Sequence, residues 1–159
     1  MAITSAVCNS FKVEILKAEH NFTATTGNTF NLALYTSSAT LSASTTAYAS
    51  TNEITNTSGS AYSAKGKALT SVTPTLDSST AVCDFADVSW TSASFTANGC
   101  LIFNDSHSTD ASVCAVAFGG DKTVSSGTFT VQFPAAAATT AIVSIALGGT
   151  PYGISLGWR

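Results

Sequence analysis

The sequence predicts a mainly β fold, an antiparallel β-sandwich or jelly-roll-like domain with one N-terminal amphipathic helix. Three observations carry that expectation. A helical apolar period occurs once, at the N-terminus; later apolar segments run with a two-residue period or as short blocks; and Gly, Asp, Ser and Thr turns separate them. Because no helices alternate with the strands, a parallel sheet with crossovers is disfavoured.

The helix is expected over about residues 5–20. Val7, Phe11, Ile15, Ala18 and Phe22 recur at three- and four-residue intervals, while Asn9, Lys12, Glu14 and Lys17 take other angular positions. Thr4 or Ser5 offers an N-cap oxygen, and the β-branched run TATTGNT at 23–29 stops the helix. Phe30, Leu32 and Leu34 then alternate with Asn31, Ala33 and Tyr35, a strand with one buried face.

From Ser37 to Ser63 the chain is mostly Ser, Thr, Ala and Asn, with Leu41, Tyr48, Ile54 and Tyr62 as isolated apolar anchors. This reads as a long surface excursion with room for one short strand. Further strands are expected at about 67–76, 80–90, 94–104, 113–118, 128–134 and 140–147. The GGDK at 119–122 reads as a β-turn with Gly at positive φ, and the four alanines after Pro134 as a connection. No repeat or linker interrupts residues 1–159, so one domain is expected.

Six basic and nine acidic residues make only 9% of the chain charged, while 45% is hydrophobic. The 23 Ser and 25 Thr supply a neutral polar exterior in place of charge. Disorder is excluded by the apolar content together with a net charge of only −3. The same charge leaves no footprint for a nucleic-acid partner, and no apolar run approaches the roughly 18 residues of a membrane span. Residues 1–11 show neither the basic nor the apolar region of a secretion signal. Cys8, Cys83, Cys100 and Cys114 lack zinc-site spacing and read as small buried side chains.

No constellation for catalysis stands out. His20 and His107 have no nucleophile or carboxylate at triad spacing. Asn104, Asp105, His107 and Asp110 offer metal-type donors within seven residues, yet match no cation motif and read as a polar hairpin tip. Asp77, Asp84 and Asp87 could pair as glycosidase carboxylates, but sit where turns need them. Trp90, Phe95, Phe103, Phe118, Phe129 and Phe133 read as core rather than as an exposed platform. No enzyme, cofactor or metal is therefore expected.

The C-terminal extension over 148–159, GGTPYGISLGWR, alternates Tyr152, Ile154, Leu156 and Trp158 with Gly153, Ser155 and Gly157. Such a one-sided strand calls for an apolar partner within the fold or on another subunit. Phe11 and Ile15 of the helix, with Tyr152, Ile154, Leu156 and Trp158, are thus the candidate partner-interface residues.

Four blocks carry a resemblance: CNSFKVEIL, NLALYTSSATLSASTTAYASTNE, GKALTSVTPTLDSSTAVCDFADVSWTSASFTANGCLIFN and AVAFGGDKTVSSGTFTVQFP. In order and spacing, across about residues 8–147, the chain resembles small virion proteins of tailed bacteriophages, notably phages of aquatic bacteria and cyanobacteria. It departs from that pattern after Ile145. The resemblance implies a non-enzymatic structural protein of the virion, assembled in the bacterial host cytoplasm. Its implied partners are major capsid or tail components and further copies of itself. A capsid decoration protein comes first among the roles it implies, ahead of a tail, neck or fibre-associated protein. A host-surface carbohydrate-binding module is a reading from another class.

Overall fold

The computed structural model describes residues 2–55 and 61–146, and the backbone of Gly153–Ser155. Its elements are β1 (Ala6–Val7), α1 (Asn9–Leu16), β2 (Phe30–Tyr35), β3 (Lys67–Ala68), β4 (Ser71–Asp77), β5 (Thr80–Phe85), β6 (Val88–Asn104), β7 (Ala111–Val131), β8 (Val143–Ala146) and β9 (Gly153–Ser155). One sheet runs β1-β7-β6-β2-β3 and the other β4-β5-β8-β9, with neighbouring strands antiparallel. A single apolar core joins them: Phe30, Leu32 and Leu34 of the first sheet pack in one cluster with Cys83, Phe85 and Val143 of the second. The mainly β sandwich read from the sequence is the fold observed.

The helix is shorter than its periodicity predicts. Val7 lies in β1, where it is opposed to Cys114 of β7, and the residue before the helix is Cys8, which makes no side-chain cap. Ser5, an expected cap, instead accepts a hydrogen bond from the Ala117 N–H at 3.0 Å. At the other end Ala18 turns to φ 60°, and the Glu19 and Ala18 N–H groups bond to the Glu14 and Ile15 carbonyls. That is a Schellman stop, formed without the usual glycine. Periodicity alone cannot see it, because Phe22 remains buried after the chain has left the helix.

An aromatic relay ties these elements together. Phe11 meets Phe22 edge-on at 6.0 Å, Phe22 stacks on Phe30 at 4.3 Å, and Phe85 and Phe133 continue the series from Phe30. Trp90, Phe95 and Phe103 are buried as expected, whereas Phe118, Phe129 and Phe133 are half-buried against the core.

The two strands expected at 113–118 and 128–134 are one, the 21-residue β7. Gly119 and Gly120 do have positive φ, 72° and 142°, but they form a bulge between the Gly99↔Ala117 and Ala97↔Lys122 pairs rather than a turn. The turn that joins β6 to β7 lies at 105–110, where Asp110 N–H bonds to the His107 carbonyl.

The excursion after β2 is the largest departure. Its described residues contain isolated bridges, Ile3↔Leu41, Tyr35↔Glu53 and Ala47↔Ala111, and no strand. It is not a surface loop either. Ala39 and Leu41 are buried with Ala33, Tyr35, Leu101, Phe103 and Ala115 in a second cluster, against which Tyr48 packs. The excursion therefore roofs the outer face of the large sheet. Its backbone is satisfied by neighbours: Tyr48 N–H bonds to Asp110 O, Ile54 N–H to Leu34 O, and Asn9 N–H to Ala43 O.

All four cysteines are free and buried. Burial pushes the Cys8 and Cys83 thiols up to about 12, and raises Cys100 and Cys114 as well. Reductant is therefore expected to leave the melting midpoint unchanged, with four thiols reacting with a disulfide reagent only after unfolding; a loss of stability on reduction contradicts this. Phe11→Ala is expected to cost about 3–5 kcal/mol in urea unfolding, as for other buried Phe truncations. Leu16, 88% exposed and five residues along, is the control, and its truncation is expected to stay within about 0.5 kcal/mol.

Candidate interaction surface

The titratable groups come first, because a reactive site has to be built from them. Glu53, the only charged residue between 37 and 63, is buried beneath the excursion. Its carboxylate accepts the Tyr48 hydroxyl at 2.5 Å and the Tyr62 hydroxyl at 2.7 Å, while the Tyr62 oxygen accepts the Leu34 N–H at 2.9 Å. Desolvation and the bond to Glu53 push Tyr48 up to about 12 and raise Tyr62 further. This hub fastens the roof to β2. Sequence reading missed it, although a lone acid in an uncharged run was the available signal.

Asp105 and Asp110, the metal-type donors of the hairpin, are both held by Lys65, whose Nζ stands 2.9 Å from each. The ammonium occupies the position between them that a cation would need. His107 points elsewhere, 3.5 Å from Glu19, and Asn104 donates to His20 Nδ1 at 3.1 Å. His20 in turn meets Glu14 through Nε2 at 2.9 Å, so one hydrogen on Nε2 satisfies both contacts. No group of three or more His, Cys, Asp or Glu fit to hold a metal occurs among the described residues.

The three aspartates are backbone clasps. Asp77 accepts the Ala138 N–H at 2.7 Å and Asp87 the Phe133 N–H at 2.9 Å, together pinning the connection from β7 to β8. Asp84, buried, accepts the N–H of its neighbour Phe85 at 2.8 Å, and burial raises its carboxyl above the usual range, with Asp87 adding to the effect.

What remains is apolar surface. A groove of about 450 Å³ runs between the N-terminal segment and the smaller sheet. Phe11, Ile15, Ala18 and Phe22 form one wall, and Pro74, Ala81, Cys83, Val143 and Ile145 the other. Ala81 and Ile145 of this wall stand directly opposite one another on β5 and β8, and Leu76 of β4 stands opposite Ala81, which places the three on one face. Leu76 is 73% and Ile145 47% exposed; among the described residues the other exposed large apolar side chains are Val13 and Leu16 of α1 and Val72 of β4. Every one lies on α1, β4 or β8, the elements that border this groove.

At three of the outer strands main-chain pairing with a partner is, by contrast, obstructed. The outer strands β1 and β3 are two residues long, and β4 carries Pro74 inside a register shift between Val72 and Thr75. A second hollow of about 630 Å³ lies beside the β7 bulge, but its rings are engaged: Phe129 packs on Phe95 at 5.1 Å and on Phe118 at 6.2 Å.

Of the interface residues expected from sequence, Phe11 is committed to the chain's own core, and Ile15 lines the groove half-buried. Ile154 lies in β9, whose backbone pairs with β8; Tyr152, Leu156 and Trp158 lie outside the described residues. Val13, Leu16, Val72, Leu76 and Ile145 were not singled out, because an exposed Leu and a buried one look alike in a strand or helix pattern. No protein-family model, curated protein or solved structure matches the chain.

The raised Asp84 carboxyl gives a pH test. Its folded value lies above its unfolded one, so the ionised form disfavours folding above that value, and the handicap disappears in acid as both states take up the proton. Asp84→Asn is expected to raise the melting midpoint at pH 7, with the gain shrinking towards zero below about pH 4, where Asp84 is itself neutral. A gain independent of pH, or a loss at pH 7, contradicts the assignment.

Proposed function

We propose that the chain is a non-enzymatic structural subunit of a bacteriophage particle, acting as a capsid decoration protein. The observation that carries this reading is the concentration of exposed apolar side chains on α1, β4 and β8, beside carboxylates spent on backbone N–H groups, tyrosines and Lys65. A surface of that kind serves docking rather than turnover. The resemblance of the four sequence blocks to tailed-phage virion proteins supports the particle context and supplies the partner class, a capsid or tail component.

A modest apolar contact suits such a role. One copy gains little from two or three half-exposed side chains, whereas symmetry-related copies on one shell multiply the effect. The low charge agrees with this, since the contact has few ionic groups to desolvate. The carbohydrate-binding alternative draws less support, because the aromatic rings beside the β7 hollow pack on one another.

Leu16→Glu and Leu76→Glu are expected to leave folding intact and to lower the copy number on purified virions at least several-fold, measured by quantitative protein inventory. Hundreds of copies of the unmodified chain per particle correspond to decoration; a few copies move the reading to the tail, neck or fibre. Its absence from virions overturns the proposal.

A further inference from the structure

We propose that the hollow beside the β7 bulge binds a small organic anion with an apolar body, a monocarboxylate carried on an alkyl chain or an aromatic ring, with Lys122 as its charge partner. The inference goes beyond the particle reading and does not rest on it.

The hollow exists because β7 turns back on itself. Phe118 and Phe129 belong to one strand, and a straight run between them would span about 36 Å at roughly 3.3 Å per residue. Their ring centroids are 6.2 Å apart. The register shows where the strand bends. Between the Gly99↔Ala117 and Ala97↔Lys122 pairs, four residues of β7, Phe118 to Asp121, stand against Asn98 alone, and Gly119 and Gly120 take positive φ there. The register shifts again between Trp90 and Ala93 and between Ala93 and Phe95, with Ser92 and Ser126 also at positive φ. Bulges of this kind bend a strand and re-aim its side chains. Residues 117–119 and 129–132 thereby come to border one space of about 630 Å³, within the roughly 300–1,000 Å³ of ordinary small-molecule sites. A Cβ added at Gly119, which lines this space, would meet nothing within 4 Å, so the bulge leaves that side open to a ligand.

Charge decides the ligand class. The pairs Ala97↔Lys122 and Phe95↔Val124 are two steps apart on one ladder and share a face, and Ala97 and Phe95 are buried in the main core. Lys122 is thus a cation on the core-facing side of the hairpin. The other four lysines are engaged: Lys12 with Asn9, Lys17 with Glu19, Lys65 with Asp105 and Asp110, and Lys67 with the Ser89 carbonyl. Lys122 has no ion-pair or hydrogen-bond partner among the described residues, and no acidic residue lines the hollow. Of the two uncharged polar residues on its wall, Thr130 shares its hydroxyl with Ser89 at 2.8 Å, which leaves the Gln132 amide as the neutral donor. Phe118, Phe129 and Val131 make the rest apolar. Rings packed on one another give a sugar no flat platform, but they do give an alkyl or aryl body a wall. A lone ammonium beside such a wall, without an anion of the chain's own, selects a ligand that brings both an anionic head and an apolar body.

The probe is octanoate, with octanol and octyltrimethylammonium as the neutral and cationic members of the series. Calorimetry on the full chain is expected to show one saturable octanoate site, and the Gly119 and Gly120 amide resonances are expected to shift most in an NMR titration. Octanol is expected to bind about tenfold more weakly, since it forgoes the charge-assisted hydrogen bond, and the cation is expected not to bind. Lys122→Met keeps the alkyl stem and loses the charge. It is expected to weaken octanoate about tenfold while leaving octanol affinity and the melting midpoint unchanged. Lys12→Met, made at the exposed lysine of α1, is expected to change nothing. Gln132→Glu brings a competing charge to the wall and is expected to weaken octanoate but not octanol. Absence of saturable octanoate binding overturns the proposal. Octanol binding as tight as that of octanoate overturns it by making the hollow an unselective apolar surface. Octanoate affinity indifferent to Lys122→Met, or shifts centred on the α1 groove instead of the β7 bulge, assigns the anion elsewhere and overturns it equally.

Discussion

The structure depends on one constraint: the segments where β2, β6 and β7 pair are apolar on both faces. Leu32 and Leu34 face one way and Ala33 and Tyr35 the other, and all four are buried. From Gly99 to Asn104 and from Ala111 to Val116 every residue is buried too. A sheet of this kind needs two covers. The smaller sheet, α1 and the aromatic relay supply one, and the excursion after β2 supplies the other.

The second cover is coil, and coil over an apolar face must find partners for its own backbone. It does so by borrowing the groups that neighbouring elements leave free, and by anchoring one buried carboxylate on two tyrosine hydroxyls. Glu53 is acceptable there because both its oxygens are satisfied; an unpaired buried carboxylate would cost far more than the anchor contributes. The polar chemistry of this protein is thus spent on holding layers together. The groups that looked reactive in sequence are employed as fasteners.

That division shapes the outside. With few charges on the chain, the exposed large apolar side chains among the described residues sit on α1, β4 and β8, the elements that border the groove. Val13 and Leu16 are exposed because they lie on the side of α1 away from Phe11 and Ile15, the side turned to the core, and Phe11 alone is buried.

The sequence by itself determined the fold class, the first strand, the internal aromatics and the turn or core roles of most polar residues. Those features are local, because a two-residue period, a β-branched run or a glycine reports on its immediate neighbours. Only the tertiary structure decided the rest. The helix end at Ala18 depends on a main-chain stop that leaves the apolar spacing unbroken. The union of two expected strands into β7 depends on β6 running alongside and absorbing Gly119 and Gly120 as a bulge. Whether Leu16 and Leu76 face solvent, and whether Glu53 and Lys65 find partners 5 to 45 residues away, depends on which layers meet. Burial and partnership are properties of pairs of segments, and a single chain read in order holds only one member of each pair at a time.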